Sequence, residues 1–269
     1  GFNLFCANGD MVECLIAPMA DYFQSLGGTL TPRLKVQRLL HSGQRISGVE
    51  VAEPDPPMTH CGTGQWPDGT VATRADTSHV LEQYDAVVLA MPFSSFLELN
   101  PGDAAFWSEH SFQHVEKLQA APSLSCRFWC NSPVGTERYN GILNGMPEPV
   151  PTVVDMRNIL TRYADAPWQS VIDCCGPLAG YEDLDDAELI ALIGERIGGV
   201  PGLSNPLECE PDKVWLRRNI GKHGQLMLPV PGALKYRPTP STQLDNLFLA
   251  GDWIRNSLDI PTMEGAARA

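Results

Sequence analysis

Asn246-Leu247-Phe248-Leu249-Ala250-Gly251-Asp252-Trp253, followed by Pro261-Thr262-Met263-Glu264-Gly265-Ala266-Ala267, is the stretch of this 269-residue chain that decides its fold. Leu247 to Ala250 form a short unbroken apolar run, the pattern of a strand covered on both faces in an open α/β sheet. In such sheets ligands sit at the carboxyl ends of the strands. Gly251 lets the backbone come close to a bound group, and the Asp252 carboxylate can accept hydrogen bonds from hydroxyls. A helix opening near Thr262 offers unpaired N–H groups and the positive end of its dipole to an electron-rich partner.

Strand, Gly-Asp-aromatic turn, spacer and Met-Glu-Gly-Ala in this order resemble the C-terminal flavin-binding signature of the flavin-containing amine oxidase and phytoene desaturase superfamily. The Gly-Asp-Trp form is most similar to the carotenoid- and squalene-related branch. The resemblance implies an FAD cofactor, with Gly251, Asp252 and Trp253 beside its ribityl or pyrophosphate region. It sets Thr262, Met263 and Glu264 at the helix start, where the Met263 backbone would face the pyrimidine end of the isoalloxazine. A helix N-terminus there favours the reduced flavin, because negative charge gathers at that end on reduction.

Two further segments carry the same resemblance. Met11 to Leu26 repeats apolar residues at helical spacing (Val12, Leu15, Ile16, Met19, Ala20, Phe23, Leu26) and stops at Gly27-Gly28, with Pro18 as a kink or first-turn residue. Extended chain over Thr29 to Val36, a Ser42-Gly43 turn and a strand at Ile46 to Val51 follow. Helix, double glycine and hairpin resemble the family's adenosine-side segment, in which Val36 holds the position of the valine whose backbone meets adenine; a plain core valine explains the same residue. Tyr84-Asp85-Ala86-Val87-Val88-Leu89-Ala90-Met91-Pro92 reads as a second buried strand, and resembles the family segment that ends near the FAD diphosphate. Ala90, Met91 and Pro92 are therefore cofactor-contact candidates, with an ordinary strand end as the other reading.

The fold class expected is α/β with α+β: an incomplete FAD-binding Rossmann-like domain plus a substrate domain of mixed sheet and helix. Residues 1–92 form the adenosine side, 93–242 the substrate-binding domain, and 243–269 the C-terminal FAD segment. The G-x-G-x-x-G turn that opens such flavoproteins is not found, since Gly62-Thr63-Gly64 lies in a polar loop and Gly198-Gly199 closes a helix. With Gly1 as its first residue and Ala269 a few residues into a helix, the chain reads as the C-terminal portion of a longer protein.

Between Phe93 and Gln243, Leu124, Cys126, Phe128 and Cys130 alternate as in a half-buried strand, Ser170 to Gly176 reads as another, and Asp185 to Ile197 as an amphipathic helix. Phe93, Phe96, Leu97, Phe106 and Trp107 fit either an apolar substrate channel or ordinary core. His110 and His114 stand four apart, and His60-Cys61 sit in a Pro- and Gly-rich loop; neither pair makes a metal site without further ligands.

Composition bounds the function. A net charge of -13 and a pI near 4.8 exclude nucleic acid and electrostatic docking to anionic lipid as partners. No apolar run reaches the roughly 18 residues of a membrane span, so membrane contact is at most peripheral. Eight cysteines lie without C-x-x-C spacing, which fits a reducing cytoplasm. No nucleophile, triad or dyad is found, as expected where a cofactor carries the chemistry, and no catalytic residue is assigned. The leading reading is an FAD-dependent oxidoreductase of desaturase, dehydrogenase or isomerase type, acting on an apolar isoprenoid such as a carotenoid or squalene derivative. Two alternatives are a flavin amine or protoporphyrinogen oxidase and a non-catalytic binding protein that has lost the cofactor.

Overall fold

The structure, a computed structural model, describes residues 11–32, 34–52, 79–82, 84–100, 103–109, 112, 114–135, 142–221, 225–258 and 266–267. A π-helical turn (Val12–Ile16) leads into α1 (Ala17–Ser25), then β1 (Lys35–Ser42), β2 (Arg45–Ala52), β3 (His79–Glu82) and β4 (Val87–Ala90). After α2 (Phe93–Phe96) and α3 (Ala104–Glu109) come β5 (Gln119–Ala121), β6 (Ser123–Cys130), β7 (Ile142–Asn144), β8 (Thr152–Asp155) and β9 (Ser170–Pro177). The order ends with α4 (Asp186–Gly198), β10 (Pro211–Asn219), β11 (Leu226–Leu228) and β12 (Leu247–Ala250). Two compact units result, one of Gly1–Leu30 with Ala121–Leu226 and one of Thr31–Ala120 with Met227–Ala269.

In the first unit a five-stranded sheet runs in the order β10-β6-β9-β8-β7. A mixed sheet was expected, but every neighbouring pair is antiparallel. The strict alternation of buried and half-buried residues along β6 is the signature of that arrangement, a sheet with one face packed. Leu124, Cys126 and Phe128 meet Leu189, Ile193 and Ile197 of α4 in the core of this unit. Each of the leucine, isoleucine and phenylalanine side chains so buried contributes about 1.5–3 kcal/mol of transfer free energy. The start of α4 is set by a capping box, in which the Asp185 carboxylate accepts from the Glu188 amide and the Glu188 carboxylate accepts from the Asp185 amide.

In the second unit β1, β2 and β3 form an antiparallel sheet, and β4 pairs with β12 in parallel. Its core joins Leu39, Ile46 and Val51 of the first sheet to Leu89, Leu247 and Leu249 of the parallel pair. An aromatic cluster fills the space between, where Phe96 stands edge-on to Trp107 and Phe112 at centroid distances of 5.4 and 5.1 Å. Phe93, Phe96 and Phe106 are thus core residues and do not line a channel; Leu97 and Trp107 pack against the same cluster. Residues 93–120 and 227–242, assigned from sequence to the substrate domain, fall in this unit. Their change of composition marks core-forming aromatics, and it is packing that decides which core they join.

Two buried asparagines stitch this unit together. Asn100 donates to the Leu39 carbonyl and accepts from the Leu39 amide, both at 2.7 Å. Asn246 does the same for Ile46, at 3.0 and 2.8 Å. Each side chain thus satisfies both main-chain groups of a buried hairpin residue, which would otherwise each cost about 1–3 kcal/mol.

Two sequence expectations are corrected in their burial. The 11–26 helix exists, with Pro18 in the first turn of α1 and Gly27 at a positive φ of 88° closing it, but Val12, Leu15, Ile16, Met19 and Phe23 are exposed. Helical periodicity says that these residues share a face, and it does not supply a partner for that face. Likewise β12 is covered on one side only: Leu247 and Leu249 are buried, whereas Phe248 is 38% and its parallel neighbour Val88 61% exposed. A continuous apolar run carries no phase, so the sequence does not say which face is packed.

Candidate functional site

The parallel register pairs Val87 with Leu247, Val88 with Phe248, Leu89 with Leu249 and Ala90 with Ala250. Parallel strands end on the same side, so Met91-Pro92 and Gly251-Asp252 leave the sheet next to each other although about 160 residues separate them. Pro92 then opens α2, its carbonyl accepting from the Ser95 and Phe96 amides. Ala90 and Pro92 are exposed and Met91 is half-buried.

At the end of β12 the chain turns at Gly251, whose φ of 142° is unfavourable for any residue with a Cβ. A Cβ there would lie 2.9 Å from the Trp253 indole nitrogen and 3.0 Å from its Cδ1. Glycine is thus required by the close approach of the indole. The Trp253 side chain is fully buried, stacks at 5.2 Å from Phe96, and donates from Nε1 to the Met91 carbonyl at 2.7 Å. The indole thus ties the two strand ends together from inside, so that any contact of Trp253 with a ligand would be made through its backbone.

Arg237, 4% exposed, lies behind the same turn. Its Nη2 donates to the carbonyls of Asp252 (2.6 Å) and Ile254 (2.7 Å), and its Nε to that of Trp253 (3.2 Å). The Ile254 amide donates to the Gly251 carbonyl and the Arg255 amide to the Pro238 carbonyl. Among the described residues no acceptor meets the amides of Asp252 and Trp253. The Asp252 side chain is half-buried at the sheet edge.

Of the sequence-predicted site residues, Ala90, Met91, Pro92, Gly251, Asp252 and Trp253 are therefore brought to one place. Val36 stands elsewhere in the same unit, half-buried in β1 opposite Val51 and packed against the core. Thr262, Met263 and Glu264 lie outside the described residues, as do His60, Cys61 and His110. His114 is beside Tyr236 at 6.4 Å, and among the described residues no group of three metal-ligating side chains occurs. Sequence reasoning missed Arg237. Its signal was an arginine between Tyr236 and Pro238, shortly before the apolar strand.

The turn thus brings together a carboxylate able to accept from hydroxyl groups and two amides that no described acceptor meets, beside the exposed strand end at Ala90. The family model described as flavin containing amine oxidoreductase matches residues 62–269. The chain belongs to that family of flavin oxidoreductases. It is 24% identical to a 15-cis-phytoene desaturase of Solanum lycopersicum, over 99% of this chain and 41% of that protein. Against the corresponding Glycine max protein the figures are 22%, 99% and 42%, so the chain spans about two-fifths of the length of these curated relatives. The fold is similar to that of an oxidoreductase from Methanosarcina mazei, with a TM-score of 0.59 at 13% identity, covering 95% of this chain and 52% of that one. No helix among the described residues is long and apolar enough to cross a membrane.

Proposed function

We propose that this protein is an FAD-dependent oxidoreductase acting on an apolar isoprenoid of the carotenoid or squalene type. The observation that carries the reading is the convergence of Ala90-Met91-Pro92 and Gly251-Asp252-Trp253 at the carboxyl ends of one parallel strand pair, the position at which open α/β sheets bind ligands. The substrate class draws on the phytoene desaturase relatives.

FAD, when bound, supplies the hydride acceptor. The chain's own part is to hold and orient. Asp252 accepts hydrogen bonds from ribityl hydroxyls, the Asp252 and Trp253 amides meet phosphate oxygens, and Val36 contacts the adenine through its backbone. Thr262, Met263 and Glu264 complete the set at the flavin end. The first unit, with its antiparallel sheet, positions the substrate.

The test is the visible spectrum of the full-length protein. Oxidised flavin bands near roughly 370 and 450 nm are expected, and a colourless protein that also fails to take up added FAD would refute the reading. Asp252→Ala removes a charged acceptor, so FAD should bind about 10-fold or more weakly; unchanged affinity rejects the role given to Asp252. Product analysis with phytoene, a hydroxysqualene and simple amines then decides the substrate.

A further inference from the structure

We infer that Arg237 is a positioning residue for the cofactor diphosphate: by holding three main-chain carbonyls inward it aims the Trp253 amide outward at a phosphate oxygen. The inference rests on the FAD reading above. It starts from the planarity of the peptide, in which C=O and N–H point in opposite directions. The Asp252 carbonyl is pinned to Arg237 Nη2 at 2.6 Å. The amide of the same peptide, that of Trp253, therefore faces away from the guanidinium, and no described acceptor meets it.

The next two peptides are held at both ends. Trp253 and Ile254 give their carbonyls to Arg237, while the amides of Ile254 and Arg255 are taken by Gly251 and Pro238. The turn is thereby fixed in one conformation, with a single orientation left for its outward amide. Turn amides held in this way make an anion-binding concavity. The planar guanidinium presents its donors in a rigid fork that fixes the carbonyls' directions, whereas the three donors of a lysine ammonium rotate about a single point and impose no such geometry.

Arg237→Met removes charge and fork while keeping length, and Arg237→Lys keeps the charge alone. In the full-length protein, titrated with FAD by flavin fluorescence, Arg237→Met should bind about 10-fold or more weakly, with Arg237→Lys in between. In ³¹P NMR at saturating FAD, the diphosphate resonances of Arg237→Lys should move toward those of free FAD, while its visible flavin band stays as in the wild type. Asp103→Asn, which loosens the same unit at a helix cap away from the turn, should leave affinity and phosphorus resonances unchanged. Affinity within twofold of wild type in both arginine variants, unmoved phosphorus resonances, or an equal loss in Asp103→Asn would overturn the inference. If the wild type takes up no FAD, the FAD reading falls and the inference with it; if wild type and Arg237→Met bind alike, only the inference falls.

Discussion

Replacing Asn246 by leucine isolates what a buried amide does for this fold. Leucine has the same branching and the same number of side-chain heavy atoms, so the shape is largely kept while the hydrogen bonds are lost and some bulk is added. Asn246 Nδ2 donates to the Ile46 carbonyl at 3.0 Å, and its Oδ1 accepts from the Ile46 amide at 2.8 Å. Asn246 is 1% and Ile46 3% exposed, so water does not replace the lost partners. Leaving one buried amide and one buried carbonyl unpaired costs about 1–3 kcal/mol each, partly offset by about 1 kcal/mol gained from burying an apolar group in place of a polar one. The expected net loss is about 1–5 kcal/mol. For a unit of this size that corresponds to a fall in Tm of roughly 10 °C. Urea unfolding at pH 7 with an unchanged m-value measures it directly. A loss below about 1 kcal/mol would refute the reasoning, because it would mean that Ile46 finds other partners or that the hairpin is not held through Asn246.

Two further perturbations test the electrostatics. The Asp103 carboxyl is held below the usual carboxylate range, first by the Phe106 amide that it caps and then by His41, whose Nε2 lies 3.0 Å away. A depressed folded-state pKa adds stability that is present above the unfolded value and lost as pH falls through the folded one. Asp103→Asn can still cap the helix and loses only the charge, so it should cost about 0.3–1 kcal/mol at pH 7, and its gap to wild type should narrow below about pH 4; urea midpoints at pH 7 and pH 3 that keep a constant gap would contradict this. Burial pushes the Cys130 thiol up to about 12, and the hydrogen bond with Cys126, followed by burial, raises the Cys174 thiol well above its ordinary value. Brief alkylation of the native protein at pH 8, read by mass spectrometry, should label the exposed Cys14 and spare Cys126, Cys130 and Cys174 until the protein is unfolded.

The elements legible in the sequence were those whose side-chain period is set by the backbone. Leu124, Cys126, Phe128 and Cys130 alternate in β6 as written, the Asp185 cap and the α4 stripe of Leu189, Ile193 and Ile197 are where the 3.6-residue repeat puts them, and Gly27 ends its helix with positive φ. The same local grammar located the Gly251-Asp252 turn, because a strand end followed by glycine is a short-range event. It also marked both halves of the candidate site separately, at Ala90 to Pro92 and at Gly251 to Trp253. What it could not supply was direction in space. The exposed flank of Val88 and Phe248 and the inward indole of Trp253 depend on which neighbour lies against each residue.

By itself, then, the sequence determined the strands, caps and turns, and through its C-terminal signature the flavin oxidoreductase family. Only the tertiary structure decided that β4 and β12 are parallel neighbours, so that segments far apart in the chain share one edge. It also decided that Arg237, Asn100 and Asn246 are buried for the sake of main-chain groups. The reason is physical. Periodicity records the preferences of a chain with itself over one or two turns, whereas an unpaired buried amide or carbonyl can be satisfied from anywhere in the chain, and Asn246 reaches across 200 residues to do so.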